Sequence, residues 1–195
     1  MNLGLILVAV IALIIFWVIG LYNFFVSAKT RIKAAVQEIG NQLKRQMELI
    51  PNLEASVKGY LKHEKGIFES LTEARKMVAA ASKSGDINKM ADAGQAFSDI
   101  LPKLQVVVES NPELRGSEVV TNLMEELRDT SDKVMYSRRL LIDLSADYNV
   151  RRVTFPSNIV ANMFNFEEMK GLETNNSGDF MKVTENETKT PKVSL

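Results

Sequence analysis

Along four stretches of the chain, apolar side chains recur at alternating steps of three and four residues. Ile32, Val36, Ile39, Leu43, Met47 and Ile50 form the first series. Leu53, Val57, Tyr60, Ile67, Leu71, Ala74, Val78 and Ala81 form the second, with Glu64 the one charged residue in phase. The third is Ile87, Met90, Gly94, Phe97, Leu101, Leu104 and Val108. The fourth is Val120, Leu123, Leu127, Val134, Leu141, Leu144 and Tyr148, with Thr130 and Ser137 as polar members. Such spacing lays one stripe along one face of each helix. An isolated helix gains little by itself, so each stripe must be buried against another. The pattern predicts an all-α fold, an antiparallel up-down-up-down bundle of long helices crossing at about 20°.

The breaks between stripes carry turn chemistry. Pro51 disfavours helical geometry at Ile50 and predicts the end of the first helix there. Gly85 followed by Asp86 predicts a helix stop and then an N-cap. Asn111-Pro112 opens a loop that closes at Gly116-Ser117, and Phe155-Pro156 ends the fourth helix. Pro102 lies inside the third stripe, whose phase continues through Leu104 and Val108. A kinked helix is expected there, with the ring pressing on the carbonyl of Ser98.

The opening stretch follows a different rule. No charged side chain precedes Lys29, and Leu3 to Val26 is almost wholly apolar. A helix that spans a bilayer needs roughly 20 such residues, and Tyr22 suits an interfacial anchor. A cleavable signal peptide is the rival reading, with Val26-Ser27-Ala28 as a loose cleavage site. Against it, the apolar run exceeds a signal core and no basic side chain precedes it. A buried core helix fits poorly, since no face carries charge. The chain thus divides into a transmembrane anchor over 1–28, a helical bundle over 29–168 and a disordered polar tail over 169–195. Nothing interrupts Tyr22 to Lys33, so one helix from Leu3 to Leu49 is expected, about 70 Å long. Lys29, Arg31 and Lys33 follow the span. Their bias places the bundle in the cytoplasm, with the N-terminus outside a plasma (inner) membrane.

Alternating helix direction then turns the Ser84-Gly85 connection and the end of the fourth helix towards the bilayer. The apolar run of residues 155–166 should follow. Phe155, Ile159, Val160, Met163, Phe164 and Phe166 are candidates for lipid contact, with Arg151, Arg152 and Lys170 near headgroups. Equally, this run could close the open end of the bundle core.

Composition narrows the chemistry. Lys+Arg and Asp+Glu are both 24, which gives no reason to expect nucleic acid as a partner. There is no cysteine, and His63 is the one histidine. His63-Glu64 lacks the second His four residues on that a helical zinc motif needs; Ile67 stands there. Glu125 and Glu126 lie beside the fourth stripe rather than in it. Glu64, on a stripe, needs a partner for a buried ion pair, and Lys44, Arg45, Arg138 and Arg139 are candidates. No phosphate-cradling glycine motif is present. The Asn-x-Ser/Thr matches at Asn175 and Asn186 carry little weight.

Residues 42–75, QLKRQMELIPNLEASVKGYLKHEKGIFESLTEAR, resemble the signature of the LemA family. So do residues 122–166, which hold D-Y-N at 147–149 and T-F-P-S-N at 154–158. Tyr22-Asn23 at the end of the apolar run is similar to the family's start. The resemblance implies a bacterial membrane protein with a short external N-terminus, a helical cytoplasmic body and no established enzymatic activity. The chain departs from the pattern in two places, with no aromatic before Q-L-K-R and with Pro102 inside the third helix.

The expected function is a membrane-anchored scaffold or interaction protein, without catalytic activity or cofactor. Its partners would be the lipid bilayer, other membrane or cytoplasmic proteins, or copies of itself. The alternatives are membrane remodelling through residues 155–166, or a metal-binding accessory of a membrane enzyme using His63, Glu64, Glu125 and Glu126.

Overall fold

A computed structural model describes residues 3–60 and 65–172. His63, Glu64 and residues 173–195, including Asn175 and Asn186, lie outside the described residues. Helices follow in the order α1 (Leu3–Val57), α2 (Lys65–Ser84), α3 (Ile87–Ser110), α4 (Pro112–Arg115), α5 (Glu118–Val153) and α6 (Ser157–Met163). The described residues form no strand.

The longest element is longer than its sequence implies. α1 runs unbroken through Pro51, 55 residues and about 80 Å. The expected stop at Ile50 is therefore corrected, and Leu53 and Val57 belong to α1 rather than to the second helix. Burial explains why. Phe25, Ala28, Ile32, Ala35, Ile39, Leu43, Gln46, Ile50, Leu53 and Val57 are buried. They keep steps of three and four from end to end. Ending the helix at Pro51 would remove the last two from the core, and packing outweighs the missing backbone donor. Next to the proline, the Asn52 side chain donates to the Glu48 carbonyl at 3.3 Å. α3 also continues through its proline, from Ile87 to Ser110.

The turns follow the expected chemistry. Gly85 takes φ +66°, a left-handed conformation that glycine adopts without strain. Asp86 then caps α3, accepting from the backbone N–H groups of Asn88 at 2.9 Å and Lys89 at 3.3 Å. Ser117 caps α5 by accepting from Val120 N–H. The loop at 111–117 holds the short α4.

α1 packs most extensively on α5, and α2 on α3, closing a four-helix bundle. The core is two clusters in series. The distal one joins Ile50, Leu53 and Val57 to Leu71, Phe97, Leu104 and Leu127. The proximal one joins Phe25, Ile32, Ile39 and Leu43 to Val78, Met90, Val134, Leu141 and Tyr148. On α1 the division falls at Gln46, and on α5 at Thr130 and Ser131. All three are buried, and neither Gln46 amide atom nor Ser131 Oγ has a hydrogen-bond partner among the described residues. α3 and α5 approach closely at Gly94, where a Cβ would lie 2.4 Å from Val134 Cγ1.

The four helices do not end at one level. Met90 reaches Gly40, and α3 runs parallel to α1. The Gly85 turn thus stops roughly 15 Å short of Phe25 at 1.5 Å per residue. It points towards the apolar end of α1, where the expectation set it, without reaching the level of Phe25. Below it only α1 and α5 continue, and the chain after α6 fills the gap. Phe166, Met169 and Leu172 pack on the proximal cluster there.

Candidate membrane-facing site

The first half of α1 is long and apolar enough to cross a membrane, and none of the described residues covers its most apolar window. Leu3 to Tyr22 covers about 30 Å of helix, the thickness of a hydrocarbon core. The bundle begins at once beyond it. Phe25 is fully buried, edge-on to Tyr148 at 5.4 Å between centroids and stacked on Phe166 at 4.8 Å. Tyr22 meets Phe164 at 4.9 Å and Phe166 at 5.7 Å. The end of the apolar segment is thus clamped by aromatic rings from the far end of the sequence.

Polar contacts hold those rings in place. Arg152 Nε donates to the Phe166 carbonyl at 2.9 Å, and Tyr148 Oη donates to the Glu167 carbonyl at 2.9 Å. Asn149 grips Met169 twice, donating from Nδ2 to its carbonyl at 2.8 Å and accepting its N–H at 3.0 Å. Residues 164–172 form a strap tied to the last two turns of α5. Burial pushes the Tyr148 phenol pKa up, Arg152 opposes the shift and Glu167 adds to it. Arg151 lies outside the strap, its guanidinium 4.0 Å over the Phe24 ring.

These contacts sort the candidate lipid-facing residues. Phe155, Ile159, Met163 and Phe164 are exposed, from 44% for Phe164 to 75% for Phe155. Arg151 and Lys170 are exposed as well. Phe166 and Val160 are corrected: Phe166 stacks in the base of the core, and Val160 is buried. Arg152 spends its Nε–H on the strap. The run 155–166 therefore divides, with Val160, Ala161 and Phe166 packed on the core and Phe155, Ile159, Met163 and Phe164 left exposed. Helix α6 is too short to bury more than one side, so Val160 and Ala161 turn inward while Ile159 and Met163 share the outer face. Val150 and Val153 extend the exposed apolar surface along α5. Sequence reasoning passed over them because they fall off the α5 stripe; their signal is position, beside two arginines and next to Phe155.

No group of three or more His, Asp or Glu side chains converges among the described residues. Glu126 is engaged by Arg45 of α1. Arg138 donates to Gln95 at 3.0 Å. Two of the residues proposed as partners of Glu64 thus have contacts elsewhere. Arg75 and Glu54 form a further pair at 2.6 Å, between α2 and α1.

A family model described as the LemA family matches residues 35–194. Magnetosome protein MamQ of Magnetospirillum gryphiswaldense is similar, 23% identical over 186 residues that cover 84% of this chain and 68% of that protein.

Proposed function

The chain belongs to the LemA family, and from that premise we propose that it is a non-catalytic scaffold, anchored by α1 and seated on the bilayer by a second apolar foot. The span is a single pass. The foot is α6 with the residues on either side of it. The carrying observation is the Tyr22–Phe164 contact. It ties the foot to the point where a spanning α1 leaves the hydrocarbon, so exposed Phe155, Ile159 and Met163 lie at the depth of the headgroups. Aromatic and aliphatic side chains flanked by arginine suit that depth. Arg151 and Lys170 supply the charge for anionic lipid.

Two attachments give the bundle a fixed stance. A lone helical stalk would leave it free to tilt. With the foot applied to the surface, α4 and the distal end point away from the membrane, and the α2 and α3 faces look sideways at a set height, as surfaces for partner proteins. The basic residues after the span support a reading in which this body is cytoplasmic and the anchor lies in the inner membrane. Likeness to a magnetosome protein supports membrane association at the coarser level.

The chain has no cysteine, so single-cysteine dye labelling is clean. The full chain is reconstituted in vesicles that carry a headgroup quencher. A dye on Met163→Cys or Phe155→Cys should be quenched, and one on Asn122→Cys at the distal end should not. Quenching of the Met163 position by aqueous iodide alone would remove the foot from the bilayer.

A further inference from the structure

Among the described residues the α1–α5 face of the bundle is open. An open groove of about 620 Å³ runs between the two helices. Its floor is small, with Ala34 and Ala35 from α1 and Ser137 from α5, and its walls carry Tyr136, Leu140 and Leu144. Tyr136 is 69% exposed, an unusual position for an aromatic ring beside a row of small residues. Surfaces of this kind allow close helix approach and gain from burying a rigid ring.

From the charges on its rim we infer that this groove seats a second copy of the chain, packed parallel about a twofold axis along the bilayer normal. The inference rests on the anchored reading above, because anchoring in one bilayer is what makes the two copies parallel. Glu38 stands on the α1 rim and Lys133 on the α5 rim. Arg45 and Glu126 fix the register of the two antiparallel helices. Glu38 lies two turns before Arg45, and Lys133 lies two turns after Glu126, so the two rims carry opposite charges at one height. Glu38 and Lys133 are not paired with each other; Glu38 accepts from Gln42 and Lys133 holds Asp129. A twofold along the bundle exchanges the rims without changing height. Each Glu38 then faces Lys133 of the second copy, twice per dimer, as an isologous interface requires. Tyr136 and Leu140 of each copy turn onto the alanine and serine floor of the other. An antiparallel pair would instead set Glu38 against Arg31, an arrangement closed to two copies anchored with the same orientation.

The test uses the purified full chain in vesicles at high lipid-to-protein ratio. Oxidation of Ala34→Cys chains mixed with Ser137→Cys chains should give a disulfide dimer, because the parallel pair sets residue 34 level with residue 137 of the other copy, and Asp99→Cys, on the α3 surface away from the groove, should give little. Glu38→Lys or Lys133→Glu, each carried by both chains of the mixture, should lower the dimer yield about threefold to fivefold, as for the loss of two exposed ion pairs. Both substitutions together should restore it. Circular dichroism of each variant checks that the helices are intact. Equal yields from the mixture and from Asp99→Cys, or charge reversals that fail to compensate, would overturn the dimer. So would a monomer recovered from the membrane fraction, and that result leaves the anchor standing. A chain that floats free of vesicles overturns the anchor, and the parallel pair with it.

Discussion

At the scale of single residues, the bundle is set by what fits between α3 and α5. Gly94 is there because nothing larger passes Val134. Gly94→Ala should cost about 1–3 kcal/mol through overpacking, despite the better helix propensity of alanine. Thermal melting of the full chain in detergent would show it. Pairing the change with Val134→Ala should lose less than the sum of the two, since the second substitution removes the obstructing methyl groups. Additive losses would mean that the close approach is relieved some other way. Gln46 is the opposite case, a polar side chain kept in the core without a partner among the described residues. It divides the two clusters, and Thr130 and Ser131 do the same on α5. Periodicity alone cannot identify such a residue. Met47 and Gln46 both lie near the stripe, and hydrophobicity selects the methionine, whereas the fold buries the glutamine and leaves Met47 half-covered.

Elements show where local signals lose to packing. The stripes of α3 and α5, the Gly85-Asp86 turn and the Ser117 cap are legible in the sequence because each rests on short-range chemistry. The passage of α1 through Pro51 is not. Its local cost is plain in the sequence, but the compensating burial of Leu53 and Val57 depends on α2, α3 and α5 lying within reach. Pro51→Ala should therefore stabilise the protein by about 2 kcal/mol, the helix penalty of proline less the loss of its constraint on the unfolded chain. A melting temperature that is unchanged or lower would indicate that α1 needs the proline, for instance to bend around the core. The foot was half legible. Its apolar character and its place beside the end of the apolar segment of α1 follow from composition and topology. The division into inward Val160 and Phe166 and outward Ile159 and Met163 required the position of α1. The strap was illegible, since Glu167 and Met169 bond through backbone atoms that carry no sequence signature.

For the whole molecule, α1 acts as a single rod. It begins in the apolar span, passes the foot and reaches the distal cluster without a hinge between anchor and bundle. Orientation should therefore be uniform along it. A membrane-impermeant maleimide applied to intact cells should label Asn2→Cys and spare Glu118→Cys at the start of α5. Labelling should reverse in inside-out vesicles. The same side for both positions would mean that the apolar segment does not cross, and the opposite pattern would place the bundle outside the cell.

The strap also dictates an order of assembly. Phe25 is among the first core residues to leave the ribosome, directly behind the apolar segment, whereas Phe166 and Met169 follow more than a hundred residues later. Until they arrive, the lowest stretch of α1 and α5 has no cover, because α2 and α3 turn back above it. The end of the bundle beside the apolar segment is thus the last to close during synthesis. A nascent chain held short of the strap would leave its Phe25 ring open in place of covering it with its own carboxy-terminal residues.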